Sequence, residues 1–315
     1  MHAAVLHEHG AAPVYEPFEE PVAEYGQVVV EVAVAAVNPV DVRKASGTYI
    51  SGPPPLPSVV GSEGVGRIAG DGRRVYFDLP LPPFGAFAER VLVRAEDPVE
   101  LPDEVDDGVA AALGIAGLAA WLPLAWRAQL RPGETVLVLG ATGVVGQLAV
   151  QAARLLGAGR VVAAGRDAEL LARAARLGAD ATVELTGLEG AELTSAFREA
   201  AGGDVDVVHD PLWGPPAAAA VEALGVGGRL VQLGQSAGAE ATFPSASIRG
   251  RQLEVRGYLN FLVPPELRRE AYRTLVGHAV AGRIAVEVER VALADVADAW
   301  ERVQRSAHRK LLLVP

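Results

Sequence analysis

Residues 139 to 147 read LGATGVVGQ, three glycines at three-residue spacing directly after the apolar run TVLVLG. Gly140 ends a strand in this reading, and Gly143 and Gly146 fall at the entrance to a helix. Backbone N–H groups there lack partners and the helix dipole favours an anion, so the chemistry implied is the cradling of a phosphate. Thr142, Val144 and Val145 complete the loop. The spacing is GxxGxxG rather than GxGxxG, and the motif needs its context to carry weight. That context is a second apolar run, RVVAAG, which ends at Gly165. A loop selecting NAD places an acidic side chain at the end of this strand, about 20 residues on, to bind the ribose 2′-hydroxyl. Here Arg166 follows instead, and a guanidinium pairs with a 2′-phosphate through two charge-assisted hydrogen bonds. At about 1.5–3 kcal/mol for such bonds, Arg166 would favour NADPH over NADH by roughly ten- to hundredfold. The plain alternative is a solvated arginine at a helix start.

Hydride transfer from a nicotinamide to an electron-poor carbon builds negative charge on the substrate's carbonyl oxygen, so such a site needs hydrogen-bond donors. Tyr49, in SGTY, is the first candidate, because a phenol with a reference pKa near 10 stays a donor at neutral pH. His209 and Asp210 follow an apolar strand at its carboxyl end, where ligands of doubly wound sheets bind. A helix-capping role for Asp210 is the alternative. Gly234 and Ser236 follow a further apolar strand, GRLVQLG. The stretch GQSAG, residues 234–238, also fits the nucleophile elbow of an α/β hydrolase, with Asp298 and His308 following in the required order. That elbow must lead directly into a helix, and AEATFPSAS follows instead. A short-chain reductase would need a tyrosine four residues before a lysine, which neither Lys44 nor Lys310 has. Asp41 and Glu63 are buried-carboxylate candidates with Arg43, Lys44 or Arg67 as partners.

These residues need rigid elements behind them. Residues 1–108 mix β-branched runs such as QVVVEVAVAAV with turn signals such as GPPPLP, the pattern of an irregular β-rich domain. From Thr135 the chain alternates fully apolar strands with helices ending at Gly157 and Gly178, as a parallel sheet covered on both faces requires. The expected fold class is therefore α/β, a doubly wound cofactor domain over 117–255. Residues 1–116 and 256–315 together form the discontinuous catalytic domain, since the last residues are too few for a core of their own. The late strands would lie at one sheet edge, and an apolar edge is normally paired or covered. A homodimer is expected there.

Composition narrows the field. Of 315 residues none is cysteine, which excludes disulfides, iron–sulfur clusters, thiolate zinc and cysteine nucleophiles. A net charge of −11 leaves no basic field for nucleic acid or anionic lipid. The first ten residues lack the features of a secretory signal, so the expected compartment is the cytoplasm. Val109 to Trp126 carries no charge, but Gly114, Gly117 and Pro123 interrupt it, and a buried pair of short helices is expected rather than a span.

Several stretches, taken in order, resemble the medium-chain dehydrogenase/reductase superfamily in its zinc-free quinone oxidoreductase (ζ-crystallin-like) branch. They are VNPVDVRKASGTY, LPSVVGSEGVGRI, GAFAERVLV, LRPGETVLVLGATGVVGQLAVQAARLLGA, DVDVVHDPLWG and GGRLVQLGQSAG. The resemblance implies a Rossmann domain inserted in a GroES-like catalytic domain and NADPH-dependent reduction of quinones, enones or enals. It implies that Asn38 contacts the cofactor near the nicotinamide and that Lys310, at the start of the last strand, reaches the cofactor. Ser62 stands where zinc-bearing relatives carry histidine, so no metal site is expected. Leu170 and Leu185 replace a lysine and a tyrosine that touch the 2′-phosphate side in some relatives, which puts more weight on Arg166. An NADPH-binding structural or regulatory protein on the same fold is the non-enzymatic alternative.

Overall fold

The computed structural model describes residues 1–315. The chain divides into two compact units, Met1–Ile115 with Tyr272–Pro315, and Ala116–Ala271.

The second unit is built on a six-stranded, wholly parallel sheet. Its spatial order is Ala181–Glu184, Arg160–Gly165, Thr135–Val138, Val205–Asp210, Leu224–Gln232, Glu254–Gly257. Numbered along the chain this is 3-2-1-4-5-6, the order of a dinucleotide-binding Rossmann sheet. The inner strands are largely apolar because helices pack on them: Val144–Leu155 beside Thr135–Val138 and Arg160–Gly165, Ala168–Arg176 beside Arg160–Gly165 and Ala181–Glu184, Gly190–Ala201 across the first four strands in spatial order, and Gly214–Ala223 beside Val205–Asp210 and Leu224–Gln232. Val136, Leu137, Val138, Val161, Val162 and Val208 are fully buried. The winding direction reverses between Thr135–Val138 and Val205–Asp210, which pair directly, Leu137 opposite Val208. Outside the carboxyl ends of those two strands lies the crevice where such sheets bind ligands.

This unit runs past residue 255, the limit expected from the sequence. Glu254–Gly257 adds the outermost strand in register with Arg229–Gln232, and the Tyr258 hydroxyl donates to the Leu118 carbonyl at 3.2 Å, which ties the following residues to the sheet. The uncharged stretch from Val109 folds as two short helices, Asp107–Ala112 and Ile115–Leu122, followed by a π-helical turn at Pro123–Ala128. No helix is long and apolar enough to cross a membrane.

In the first unit a seven-stranded sheet is organised by the long strand Gln27–Ala36, which pairs antiparallel with Glu63–Ile68, Arg90–Arg94 and the last strand Lys310–Val314. Its residues alternate between exposed Glu31 and buried Val30 and Val32 in the period of two that a one-faced strand demands. Phe77, Phe87, Trp300, Leu311 and Leu313 share the core beneath it, so both ends of the chain contribute. A three-stranded sheet of Val14–Pro17, His2–Leu6 and Ser58–Val59 completes the unit.

Candidate active site

The glycine loop sits at the carboxyl end of the central strand Thr135–Val138. Gly140 has φ +63°, a left-handed conformation that glycine adopts freely. Gly146 starts the close packing of the helix Val144–Leu155 on the loop: a Cβ there would strike the Gly140 carbonyl and lie 2.6 Å from Ala141 Cα. Gly143 is the helix N-cap and has no such neighbour, since its Cβ would meet only the Gly140 carbonyl oxygen at 3.5 Å. The N–H groups of Val144, Val145 and Gly146 belong to the first turn, which has no intrahelical acceptors. Thr142 is buried, and the Gln147 side-chain amide donates to its carbonyl at 2.9 Å, holding the loop from behind.

Two further loops close on this one. A Cβ on Gly140 would lie 3.1 Å from the Leu212 side chain, the Ala237 N–H donates to the Leu212 carbonyl at 2.8 Å, and the Ser236 hydroxyl donates to the Pro211 carbonyl at 3.3 Å. Gly234 lies against Pro211 in the same way, with a Cβ 3.1 Å from its Cα. Asp210 organises the middle loop: one carboxylate oxygen accepts from the N–H groups of Leu212 and Trp213, both at 2.9 Å. This local turn draws the chain toward the helix Gly214–Ala223, with Trp213 at φ 58° before it. Its other oxygen is buried without a partner, and burial pushes the carboxyl up to about 6 against the pull of those two N–H bonds. His209, fully buried, donates from Nε2 to the Ala119 carbonyl at 2.9 Å, and burial lowers its pKa to about 4.

Arg166 follows the end of the second strand and is exposed. The neighbouring Asp167 does not hold it; that carboxylate caps its own helix, accepting from the Leu170 N–H at 3.0 Å. The GQSAG stretch makes no nucleophile elbow, because the next helix begins only at Ser245. Asp298 is exposed and pairs with Arg302 at 3.2 Å.

The first unit holds a buried polar network that the sequence did not resolve. Glu63, 0 % exposed, accepts from Asn38 Nδ2 at 2.8 Å, the Tyr76 hydroxyl at 2.9 Å, the Ile115 N–H at 2.6 Å and Lys310 Nζ at 3.3 Å. Lys310 Nζ also donates to Asn38 Oδ1 at 2.5 Å. The second Asn38 amide proton goes to the Ala36 carbonyl at 3.0 Å. Both amide protons of Asn38 are thus committed within the unit, and Lys310 is buried on Glu63 and Asn38. The family resemblance implies that both residues reach the cofactor; here their polar atoms meet Glu63, Ala36 and each other. Gly114 makes room for the network, since a Cβ there would lie 2.5 Å from the Tyr76 hydroxyl.

A second cluster adjoins it. Asp41 accepts from the Asn38 N–H at 2.8 Å and from the Ser62 hydroxyl at 2.6 Å, and Lys44 Nζ donates to Ser62 Oγ at 2.9 Å. Burial raises the Asp41 carboxyl, opposed by the Ser62 hydrogen bond. Burial lowers the Lys44 ammonium, opposed by the charges of Asp41, Asp78 and Glu63. Tyr49 is half-buried beneath Lys44, whose Nζ lies 5.9 Å from the ring centroid. Burial raises its phenol, against a smaller pull from Arg43, so it remains protonated at neutral pH.

Residues 24–103 match the family model of the alcohol dehydrogenase GroES-like domain, and residues 144–277 that of the zinc-binding dehydrogenases. The quinone oxidoreductase of Thermus thermophilus, solved also in complex with NADPH, is 31% identical, with 100% of both chains covered and a TM-score of 0.83. The chain belongs to the medium-chain dehydrogenase/reductase superfamily, in its quinone oxidoreductase branch. The Escherichia coli quinone oxidoreductase, solved in complex with NADPH, is 25% identical, covers 100% of both chains and has a TM-score of 0.89. A phenolphthiocerol/phthiocerol polyketide synthase chain of Mycobacterium tuberculosis is 33% identical over 309 residues. That match covers 91% of this chain, which spans only 13% of that protein's length.

The zinc in the name of one matched family finds no suitable donor set in this chain. No group of three His, Asp or Glu side chains comes together to hold a metal ion. Ser62 donates its proton to Asp41 and accepts from the Lys44 ammonium. Sequence reasoning offered Lys44 as a partner of Asp41 but missed Ser62 as the link between them, and it missed Lys310 as the partner of Glu63. The scarcity of lysine, with only Lys44 and Lys310 in the whole chain, was the available signal.

Proposed function

We propose that this protein is an NADPH-dependent reductase that delivers hydride to a quinone or an α,β-unsaturated carbonyl without a metal ion. The observation that carries the reading is the cradle at the carboxyl end of the parallel sheet, where backbone N–H groups of the first helical turn stand beside a loop packed so closely at Gly146 that no Cβ fits there, with Arg166 just after the end of the next strand.

In this reading Gly140, Thr142, Gly143, Val144, Val145 and Gly146 hold the pyrophosphate, Gly165 leaves room for the Thr142 side chain, which a Cβ there would approach to 2.5 Å, and Arg166 takes the 2′-phosphate. Asp210 shapes the loop at Leu212 and Trp213, and Gly234 and Ser236 line its outer side. The cofactor supplies two electrons and a proton equivalent as hydride. On an enone, that hydride would add at the β-carbon and leave negative charge on the carbonyl oxygen, which is where the protein must offer a donor. One proton then completes the product. Tyr49 donates a hydrogen bond to that oxygen. Asn38, with both amide protons used, fixes the helix leading to Tyr49 rather than touching the acceptor. The fold's free sheet edge, Glu254–Gly257 with Val255 43% exposed, supports a homodimer paired through that strand.

The test is NADPH oxidation by chelator-treated protein against a panel of quinones and enones. Turnover that survives chelation is the expected result, and Tyr49→Phe should lower kcat by roughly 10²-fold. Tight NADPH binding without turnover on any acceptor would replace this reading with a cofactor-sensing or structural role.

A further inference from the structure

Among 28 basic residues of the Lys and Arg types only two are lysine, and both are drawn into polar networks of the first unit. Arginine serves the surface ion pairs of this chain, from Arg73–Asp71 to Arg302–Glu289. A compact ammonium differs from guanidinium in concentrating its charge at one point. Lys310 uses that property inside the Glu63–Asn38 network. Lys44 is different: it is half-buried, and its hydrogen bond to Ser62 aligns it above the Tyr49 ring.

Asn38, Lys44 and Tyr49 lie on one continuous segment, the helix Pro39–Ala45 and the turn after it. Ser62 approaches from the residue before the strand Glu63–Ile68 and passes the ammonium's hydrogen bond on to Asp41. We propose that Lys44 is a further catalytic residue, its ammonium receiving the negative charge that develops on the acceptor's oxygen alongside the Tyr49 hydroxyl. The inference rests on the reductase reading above. No bond forms or breaks at Lys44; it acts as a fixed charge in a partly dry site, where such charge acts more strongly than in water. Asp41 and Ser62 are positioning residues, since they orient the ammonium without touching the acceptor. The ligand chemistry selected is an oxygen bearing, or acquiring, a negative charge on a conjugated system.

A phenolate is a stable stand-in for that oxygen, and 4-nitrophenolate reports its own binding by absorbance. The expected result is that the wild-type protein with NADP⁺ binds the phenolate, that Lys44→Gln weakens it roughly tenfold or more, and that Lys44→Arg keeps it within a few-fold. NADPH affinity should be the same in all three, while the thermal midpoint of Lys44→Gln should fall, since it removes a cation from the Ser62–Asp41 chain. Absence of phenolate binding to the wild type, or equal binding by Lys44→Gln, overturns the role of Lys44. Should Lys44→Gln not fold, the pH profile of phenolate binding decides. The charged groups acting on Lys44 are Asp41 on its own helix and Glu63 and Asp78 on the strands Glu63–Ile68 and Arg74–Asp78, and the Tyr49 ring centroid lies 5.9 Å from its Nζ. Wild-type affinity should fall at high pH, as the ammonium titrates below the usual lysine range, and Lys44→Arg should show no such fall; coincident profiles overturn the proposal. If phenolate binding depends on Lys44 but no quinone or enone oxidises NADPH, the reductase reading falls and the anion site stands.

Discussion

Glu63→Gln should destabilise the protein by about 4 kcal/mol, the middle of the range of about 3–5 kcal/mol for breaking a buried ion pair by removing one partner. The carboxylate is 0% exposed and Lys310 is 3% exposed, so water can replace neither charge. Neutralising the carboxylate leaves the Lys310 ammonium with Asn38 Oδ1, a neutral acceptor. The amide makes matters worse in either orientation. Its NH₂ must face Asn38 Nδ2 and Lys310 Nζ, or else the Tyr76 hydroxyl and the Ile115 N–H, and every one of those groups is a donor to the native carboxylate. Urea unfolding of wild type, Glu63→Gln, Lys310→Met and the double variant gives the comparison. The double variant should recover part of the loss, because removing both charges avoids an uncompensated one. A Glu63→Gln protein within about 1 kcal/mol of wild type would refute the reasoning, as would a double variant whose loss equals the sum of the two single ones.

Three other outcomes follow from the same structure. Arg166→Ala should weaken NADPH binding by roughly ten- to hundredfold and leave NADH binding nearly unchanged, read by titration calorimetry; an unaltered ratio would remove Arg166 from the phosphate site. Gly146→Ala forces a Cβ onto the backbone of Gly140 and Ala141, and should abolish measurable NADPH binding while lowering stability by about 1–3 kcal/mol, the range for overpacking. His209 has its pKa lowered from 6.5 to about 4, so its contribution to stability is complete above pH 6.5 and is lost as pH falls toward 4, by about 3 kcal/mol. Asp210, raised from 3.8 to about 6, has the opposite sign: its contribution is full below 3.8 and is lost as pH rises through 6. The two offset each other in the wild type, so His209→Phe should gain stability relative to wild type between about pH 7 and pH 4.5; a parallel pair of stability curves would show that His209 does not carry the effect.

The parts of this molecule legible in the sequence are those whose cause is local. The glycine loop, the apolar parallel strands and the failure of GQSAG to enter a helix each depend on residues within a few positions of one another, and the structure reproduces each of them. The burial of Glu63 depends on donors from four separate places, and its partner Lys310 lies 247 residues away. No periodicity reports such a pairing; Arg67 was a nearer basic candidate, yet its guanidinium donates to the Gly72 carbonyl at 2.9 Å. Gly114 was visible only as a break in an apolar run. Its reason is the close passage of the chain beside Glu63 and Tyr76, a tertiary fact. Residues 256 to 271 follow the parallel sheet for the same kind of reason, since Tyr258 finds its acceptor at Leu118.

The most direct test of the central claim is isotopic. NADPH carrying deuterium at the transferring position of nicotinamide C4, prepared separately for each face, is incubated with chelator-treated protein and an enone, and the saturated ketone is analysed by mass spectrometry. The account predicts a product with one deuterium, bound at the β-carbon, from one of the two labelled cofactors and none from the other. A product without deuterium from either, or turnover that vanishes on chelation and returns with zinc, would contradict it.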